Sequence, residues 1–151
     1  MIQRKQTLFL FQLVFFGIAL LFISNHTVTD AQGSTEVYLV PFHNSHLSST
    51  AGHSAAIAIN FLGLCLATVV IFLYKRRELQ LKLSYGLALL WMVLSLMLAF
   101  CPFVGGDESS FTVSLHIFPC IIGVVGIAAS LLAARFIKKD IELLKSADRI
   151  R

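Results

Sequence analysis

The sequence predicts an all-α integral membrane protein, a bundle of four transmembrane helices with a small two-stranded β element on the outer side. Hydrophobic residues make up 57% and charged residues 13% of the 151 residues, which is about half the charged share of a soluble domain. A mean hydropathy of +0.82 leaves too little polar surface for a water-soluble fold and excludes a disordered chain. The length predicts one domain, residues 1–151.

Four apolar stretches reach the length of a membrane span. They lie at about residues 7–24, 55–74, 83–103 and 118–137. At 1.5 Å per residue each would extend roughly 27–31 Å, the thickness of the hydrocarbon core, where a helix satisfies its own backbone. The first stretch is also typical of a signal peptide, but its apolar run is longer than usual, so we expect an uncleaved anchor.

The basic residues predict the orientation. All twelve Lys and Arg residues lie before the first span, between the second and third, or from the end of the fourth through the tail 138–151, and none lies in the predicted outer loops 25–54 and 104–117. The positive-inside rule therefore places both termini in the cytoplasm. The residues expected to contact anionic lipid head groups are Lys75, Arg76, Arg77, Lys138 and Lys139. No basic-aromatic module accompanies them, so a nucleic-acid partner is not expected.

Two outer segments have the composition of strands. Residues 35–41 are β-branched and aromatic up to Pro41, and residues 111–117 alternate apolar and polar side chains. We expect these two segments to pair as a small antiparallel sheet on the outer ends of the helices. The alternative is that residues 111–117 form the first turns of the fourth helix.

The predicted spans carry no ionisable residue away from their ends, so ion-coupled transport lacks its usual groups. Their polar residues are expected to form interhelical hydrogen bonds, with a substrate site as the alternative: Gln12, Asn60, Thr68, Ser84, Ser95 and Ser130. Gly126, Ser130 and Ala134 repeat every four residues in the last span. This small face predicts close packing within the bundle or, alternatively, a face for a partner or a second copy.

Cysteines and histidines are the side chains most able to carry chemistry. Cys65, Cys101 and Cys120 form no C-x-x-C motif and are expected to be free thiols in packing positions.

All five histidines fall in the predicted outer loops. His43 and His46 are three residues apart, and the predicted strand pairing would bring His116 near His43. Imidazole is a ligand of Zn²⁺ and Cu²⁺. Because the spacing matches no metal motif, we expect solvated loop histidines with no metal and no cofactor. A metal or pH-sensing site at these three residues is the alternative.

Three segments of the chain resemble a known family. They are MIQRxQT at residues 1–7, LYKRRxLQ at residues 73–80 and KDxELLKSADRIR at residues 139–151. They are similar to the uncharacterised bacterial membrane family catalogued as domain of unknown function 4293. The resemblance covers the whole chain and the four-helix layout. It implies the inner membrane of a bacterium of the Bacteroidota type, and it implies no activity.

These observations predict a non-enzymatic inner-membrane protein that acts as an accessory or assembly partner of another membrane protein, through its basic tail or its outer sheet. The alternative is extracytoplasmic binding or sensing of a metal or small ligand through the loop histidines. A second alternative is an uncharged-solute or lipid transporter that acts as a dimer.

Overall fold

The computed structural model describes residues 3–30, 33–39, 51–100 and 112–148, which form four helices and one three-stranded antiparallel sheet. The helices are α1 (Gln3–Phe22), α2 (Ala51–Phe72), α3 (Arg77–Phe100) and α4 (Ile117–Asp148). The strands are β1 (Ser24–Asp30), β2 (Gly33–Tyr38) and β3 (Thr112–Leu115). The prediction of a mostly helical fold with a small antiparallel sheet is confirmed.

Three of these helices, α2, α3 and α4, are long and apolar enough to cross a membrane by length and composition. In α1 the apolar helix is shorter, Gln6–Phe22, because the chain enters β1 at Ser24. The predicted helix boundaries were also displaced: α2 begins at Ala51 rather than at residue 55. Residues 118–137 and the predicted tail as far as Asp148 belong to one helix of 32 residues, α4.

The four helices pack in a ring, each against the next and α1 against α4. Each helix buries one face, as α1 shows, because its buried positions recur every three or four residues. Those positions are Gln6, Leu10, Leu13, Gly17 and Leu20. The bundle therefore has a continuous interior with every helix contributing one stripe.

The bundle has two chemically different ends. We call the end that carries β1, β2 and β3 the sheet end, and the opposite end, where α1 begins and α2 connects to α3, the basic end. The described lysines and arginines lie toward the basic end of the helices: Arg4, Lys5, Lys75, Arg76, Arg77, Lys82, Arg135, Lys138, Lys139 and Lys145. Charge and sheet are therefore separated along the length of the bundle.

The sheet has the order β2-β1-β3, so the predicted pairing of residues 35–41 with residues 111–117 was wrong. β1 lies between them, with His26 opposite Val37 on one side and Leu115 on the other. β1 takes this place because it directly follows α1 at the sheet end and contains a β-branched run that favours extended backbone. The helical alternative was also wrong, because residues 112–115 are a strand.

A polar cluster ties the helices together at the basic end. The Asp140 side chain of α4 is 5% exposed, and its Oδ2 accepts a hydrogen bond from Nε2 of Gln6 in α1. Arg77 of α3 forms an ion pair with the same oxygen at 3.7 Å. Gln80 of α3 donates a hydrogen bond to the backbone oxygen of Val70 in α2 at 3.1 Å. Arg77, predicted to contact lipid head groups, is therefore engaged within the protein.

Asn60 bonds across helices as predicted, because its Nδ2 donates to the backbone oxygen of Gly17 at 3.1 Å. Other predicted interhelical residues do not: the hydroxyls of Thr68, Ser84 and Ser130 each donate to the carbonyl four residues earlier in their own helix. A hydroxyl that bonds its own turn is satisfied without a partner helix. Their contribution to packing is therefore small size rather than cross-linking.

The small face of α4 lies inside the chain. Gly126, Ser130 and Ala134 are all buried, and Gly126 lies against the indole of Trp91 in α3. A carbon added at Gly126 would lie 2.3–2.7 Å from the ring atoms of Trp91. Glycine at this position therefore sets the distance between α3 and α4.

We expect Gly126→Ala to lower the thermal stability of the purified protein, because the added methyl overlaps a large ring that cannot move freely. Overpacking of this kind costs about 1–3 kcal/mol. The matched control is Gly86→Ala in α3, where a Cβ would have nothing within 4 Å, and which should raise stability by about 0.5–1 kcal/mol. Equal melting temperatures for the two variants would contradict the packing described here.

Candidate functional site at the sheet–bundle junction

Three histidines from three separate elements meet where the sheet rests on the bundle. His26 lies in β1, His53 in the first turns of α2, and His116 between β3 and α4. The backbone N–H of His116 donates to the backbone oxygen of Asn25 at 3.1 Å, and its Nε2 lies 2.9 Å from Oγ1 of Thr27. These bonds hold His116 beside β1.

An irregularity in β1 brings two consecutive polar side chains to the same place. The register of β1 with β2 shifts between Ser24 and His26, which leaves Asn25 as an extra residue. In a regular strand adjacent side chains point to opposite faces, whereas a bulge allows two in succession to serve one side. Asn25 and His26 accordingly line one cavity.

This cavity, which we call the junction cavity, has a volume of about 20 Å³. Its polar lining is Asn25, His26 and His53, and its apolar lining includes Leu39 and Met97. His53 is 8% exposed and forms a hydrogen bond with the backbone of Tyr38. The volume suits a single water-sized molecule that has polar partners.

Three buried polar atoms near the cavity have no hydrogen-bond partner within the described part of the chain. They are Oγ of Ser24, Oδ1 of Asn25 and Nδ1 of His26. Buried polar groups are nearly always paired with protein or with water. The cluster therefore offers unused donors and acceptors to a small polar molecule.

The surroundings of His26 keep its imidazole neutral. Burial, together with the nearby imidazoles of His53 and His116, lowers the pKa of His26 from 6.5 to about 4. A neutral imidazole presents one donor and one acceptor. The junction cavity is therefore suited to hydrogen bonding near neutral pH rather than to binding an anion.

Metal chemistry finds little support at this junction. Among the residues that the structure describes, no group of three or more His, Cys, Asp or Glu side chains is arranged to hold a metal ion. His43 and His46, two of the three predicted candidates, lie outside those residues. His116, the third, belongs to the junction cluster and bonds Thr27. The expectation of no tight metal site stays a prediction.

The other predicted site residues lie apart from the junction. Lys75, Arg76, Lys138 and Lys139 are exposed toward the basic end. Cys65 and Cys120 are free. Cys65 is exposed, so its predicted packing position was wrong, because it lies on the outer surface of α2. Cys101 lies outside the described residues.

Sequence reasoning missed His26 and His53 as partners of His116. It treated residues 25–54 as a loop, because the β1 segment has no apolar alternation. A usable signal was present in the β-branched run from Thr27 to Thr29, followed by Gly33. Gly33 has a φ of 137°, a conformation that other residues rarely adopt. That combination is typical of a hairpin, which would have placed His26 within a strand.

Comparisons with known proteins give one match. A family model described as Domain of unknown function (DUF4293) matches residues 2–150, nearly the whole chain. No curated protein and no solved structure matches the sequence. The family resemblance drawn from the two ends and the inner loop is confirmed.

We expect the stability of the protein to fall as the pH is lowered from 6.5 to about 4. In this window the unfolded His26 side chain binds a proton that the folded one does not, because its folded pKa is about 4. The free energy of unfolding therefore decreases as the pH decreases. Thermal unfolding in detergent across this range should show a smaller loss for His26→Gln than for the natural protein. Identical pH dependence of the two proteins would contradict this assignment.

Proposed function

The chain belongs to the family Domain of unknown function (DUF4293), and on that basis we propose a role argued from its own structure. The protein is a multi-pass protein of the bacterial cytoplasmic membrane with both termini in the cytoplasm. It is non-enzymatic and acts as an accessory or assembly partner of another membrane protein.

The observation that carries membrane insertion is the amount of large apolar surface that the helices expose. In α2 most of the buried positions among the described residues are small or polar, and they include Ala56, Asn60 and Ala67. Large apolar side chains face outward instead, and Phe72 is 74% exposed. A soluble bundle has the opposite arrangement, because exposed apolar surface on this scale marks contact with lipid or protein. Bilayer lipid is the solvent that suits this surface.

α1 serves as the fourth span in this proposal. Its apolar part has 17 residues, Gln6–Phe22, at the lower end of the range for spanning helices. Gln6 reaches Asp140 at the basic end, and the chain enters β1 at the sheet end. α1 therefore covers the same distance as its neighbours, which supports a bilayer crossing by all four helices.

The orientation follows from the separation of charge along the bundle. Basic residues cluster at one end and the polar sheet occupies the other. The positive-inside rule assigns the basic end to the cytoplasm. Anionic lipid head groups would meet the exposed lysines and arginines there.

The partner role is supported by the cytoplasmic part of α4. This helix has 32 residues, about 48 Å at 1.5 Å per residue, which exceeds the roughly 30 Å hydrocarbon core. Beyond Asp140, Leu143 and Leu144 are 47% and 49% exposed between charged neighbours. An amphipathic helix end of this kind suits docking into an apolar groove of another protein.

A second candidate function is extracytoplasmic sensing. The observation in its favour is the convergence of His26, His53 and His116 beside the junction cavity, with buried polar atoms unpaired within the described residues. The stimulus would be a change in pH, to which the histidines respond, or a polar ligand the size of a water molecule, which the cavity volume suits. For an uncharged polar solute the transporter alternative gains no comparable observation, since the groove between α1 and α2 is lined mainly by apolar side chains.

The topology is tested with single cysteines in a background that lacks the three natural ones. Ser34 in β2 and Ser146 near the end of α4 are both exposed. We expect a membrane-impermeant maleimide to label Ser34→Cys in intact spheroplasts and to label Ser146→Cys only after lysis. The reverse pattern would overturn the orientation, and equal labelling of both in intact spheroplasts would contradict the three crossings, α2, α3 and α4, that separate the two positions.

The partner role is tested by site-specific photo-crosslinking in native membranes. A benzophenone amino acid at Leu144 should give one discrete protein adduct, because this residue lies on the projecting part of α4. The control is the same probe at Leu89, which is exposed in the middle of α3 and should give lipid adducts only. Absence of any protein adduct at position 144, or the same adduct at both positions, would count against a partner at the tail.

A further inference from the structure

An apolar groove of about 580 Å³ runs along the outer surface between α1 and α2. α1 contributes Val14 and Ile18 to the groove. α2 contributes a longer row that runs from Leu64 through Thr68 to Leu73. The hydroxyl of Thr68 donates to the backbone oxygen of Leu64 at 2.8 Å, so it offers no spare donor to a polar ligand. The groove therefore suits a hydrocarbon chain.

The groove exists because α1 and α2 are held together toward the sheet end and drawn to different partners at the basic end. A carbon added at Gly17 would lie 2.7 Å from Leu64, and Asn60 bonds the Gly17 carbonyl, so the helices touch there. At the basic end Gln6 bonds α4, whereas α2 receives its hydrogen bond from α3. The gap opens from the contact toward the basic end.

The length of the groove matches one leaflet of a bilayer. From Leu64 to Leu73 the rise along α2 is about 14 Å at 1.5 Å per residue. Half of a hydrocarbon core of roughly 30 Å is about 15 Å. The groove therefore covers the depth of one acyl chain, whereas a partner helix would need a contact along the whole bilayer.

Two positive charges lie at the mouth of the groove. Lys75 and Arg76 follow Leu73 and Tyr74 and are exposed, and among the residues that the structure describes neither forms an ion pair. The next residue, Arg77, is engaged with Asp140. These two side chains lie where the head group of a lipid in the groove would emerge. Their positive charge complements a phosphate group whose negative charge is not balanced by an amine in the same head group.

We infer that the groove between α1 and α2 binds one anionic glycerophospholipid of the cytoplasmic leaflet, with an acyl chain along α2 and the head group at Lys75 and Arg76. This site rests on the proposed membrane insertion and orientation. The site is more specific than the general expectation of head-group contact, because it assigns one lipid to one position and does not include Arg77.

The test uses the full chain in nanodiscs of phosphatidylcholine that contain a small fraction of photoactivatable phospholipid. The probe carries a diazirine in its acyl chain and has either a phosphatidylglycerol or a phosphatidylcholine head group. After irradiation, mass spectrometry locates the adducts. Groove residues of α1 and α2 are compared with Leu89 and Leu96, which are exposed on α3.

We expect adducts to concentrate in the groove and the phosphatidylglycerol probe to label it about tenfold more than the phosphatidylcholine probe, the effect of one to two basic side chains at an anionic ligand. The double variant Lys75→Gln, Arg76→Gln should reduce this ratio to about one. The control is Lys138→Gln with Lys139→Gln, an exposed basic pair on α4, which should keep the ratio.

Val69→Trp places a larger side chain in the groove. It should remove groove adducts of both probes, whereas the α3 adducts should remain. Uniform labelling of groove and α3, or a head-group preference that survives in the Lys75, Arg76 double variant, would overturn the lipid site. Labelled α3 with an unlabelled groove would show that lipid does not occupy the groove, which also overturns the site. Failure of both regions to label would instead refute membrane insertion itself.

Discussion

The buried carboxylate of Asp140 is the constraint on which the arrangement of the bundle depends. A charge inside an apolar bundle is strongly unfavourable unless it is paired and hydrogen-bonded. Gln6 and Arg77 meet that requirement from α1 and α3, so the first turns of both helices are fixed against α4. At this end α2 receives its hydrogen bond from Gln80 of α3 instead. Polar side chains therefore connect all four helices at the basic end.

Close approach of the helices has a different physical origin in the middle of the bundle. The interior contains glycine and polar positions such as Gly17, Asn60 and Gly126 beside buried leucines and Trp91, and many other large apolar side chains point outward. Packing and hydrogen bonding bring these helices together at close range. Gly126 admits the Trp91 ring, and Gly17 admits Leu64 and the Asn60 amide. These contacts are short-range, which makes them sensitive to a single methyl group.

The sheet end differs from the middle of the bundle, because polar groups are concentrated there and are incompletely paired among the described residues. The bulge at Asn25 gathers polar atoms beneath the sheet, and burial holds His26 neutral with a pKa of about 4. A neutral imidazole can be buried at this junction, whereas the charged side chain of a lysine would be strongly unfavourable there. The junction therefore links the stability of the sheet to pH, while the basic end carries exposed lysines and arginines.

Hydropathy and charge pattern determined the helices and the separation of the basic residues from the sheet segments, since these are sums over neighbouring residues and need no knowledge of long-range contacts. Three local segments identified the family, and the repeat of small residues in α4 indicated a packing face. Only the tertiary structure decided the central place of β1, because its second partner, β3, is distant in the chain. The same holds for the histidine cluster and for Asp140, whose bond to Gln6 joins residues 134 positions apart. Local sequence cannot specify such pairs, because the free energy that selects them arises only when the folded chain excludes water from both partners.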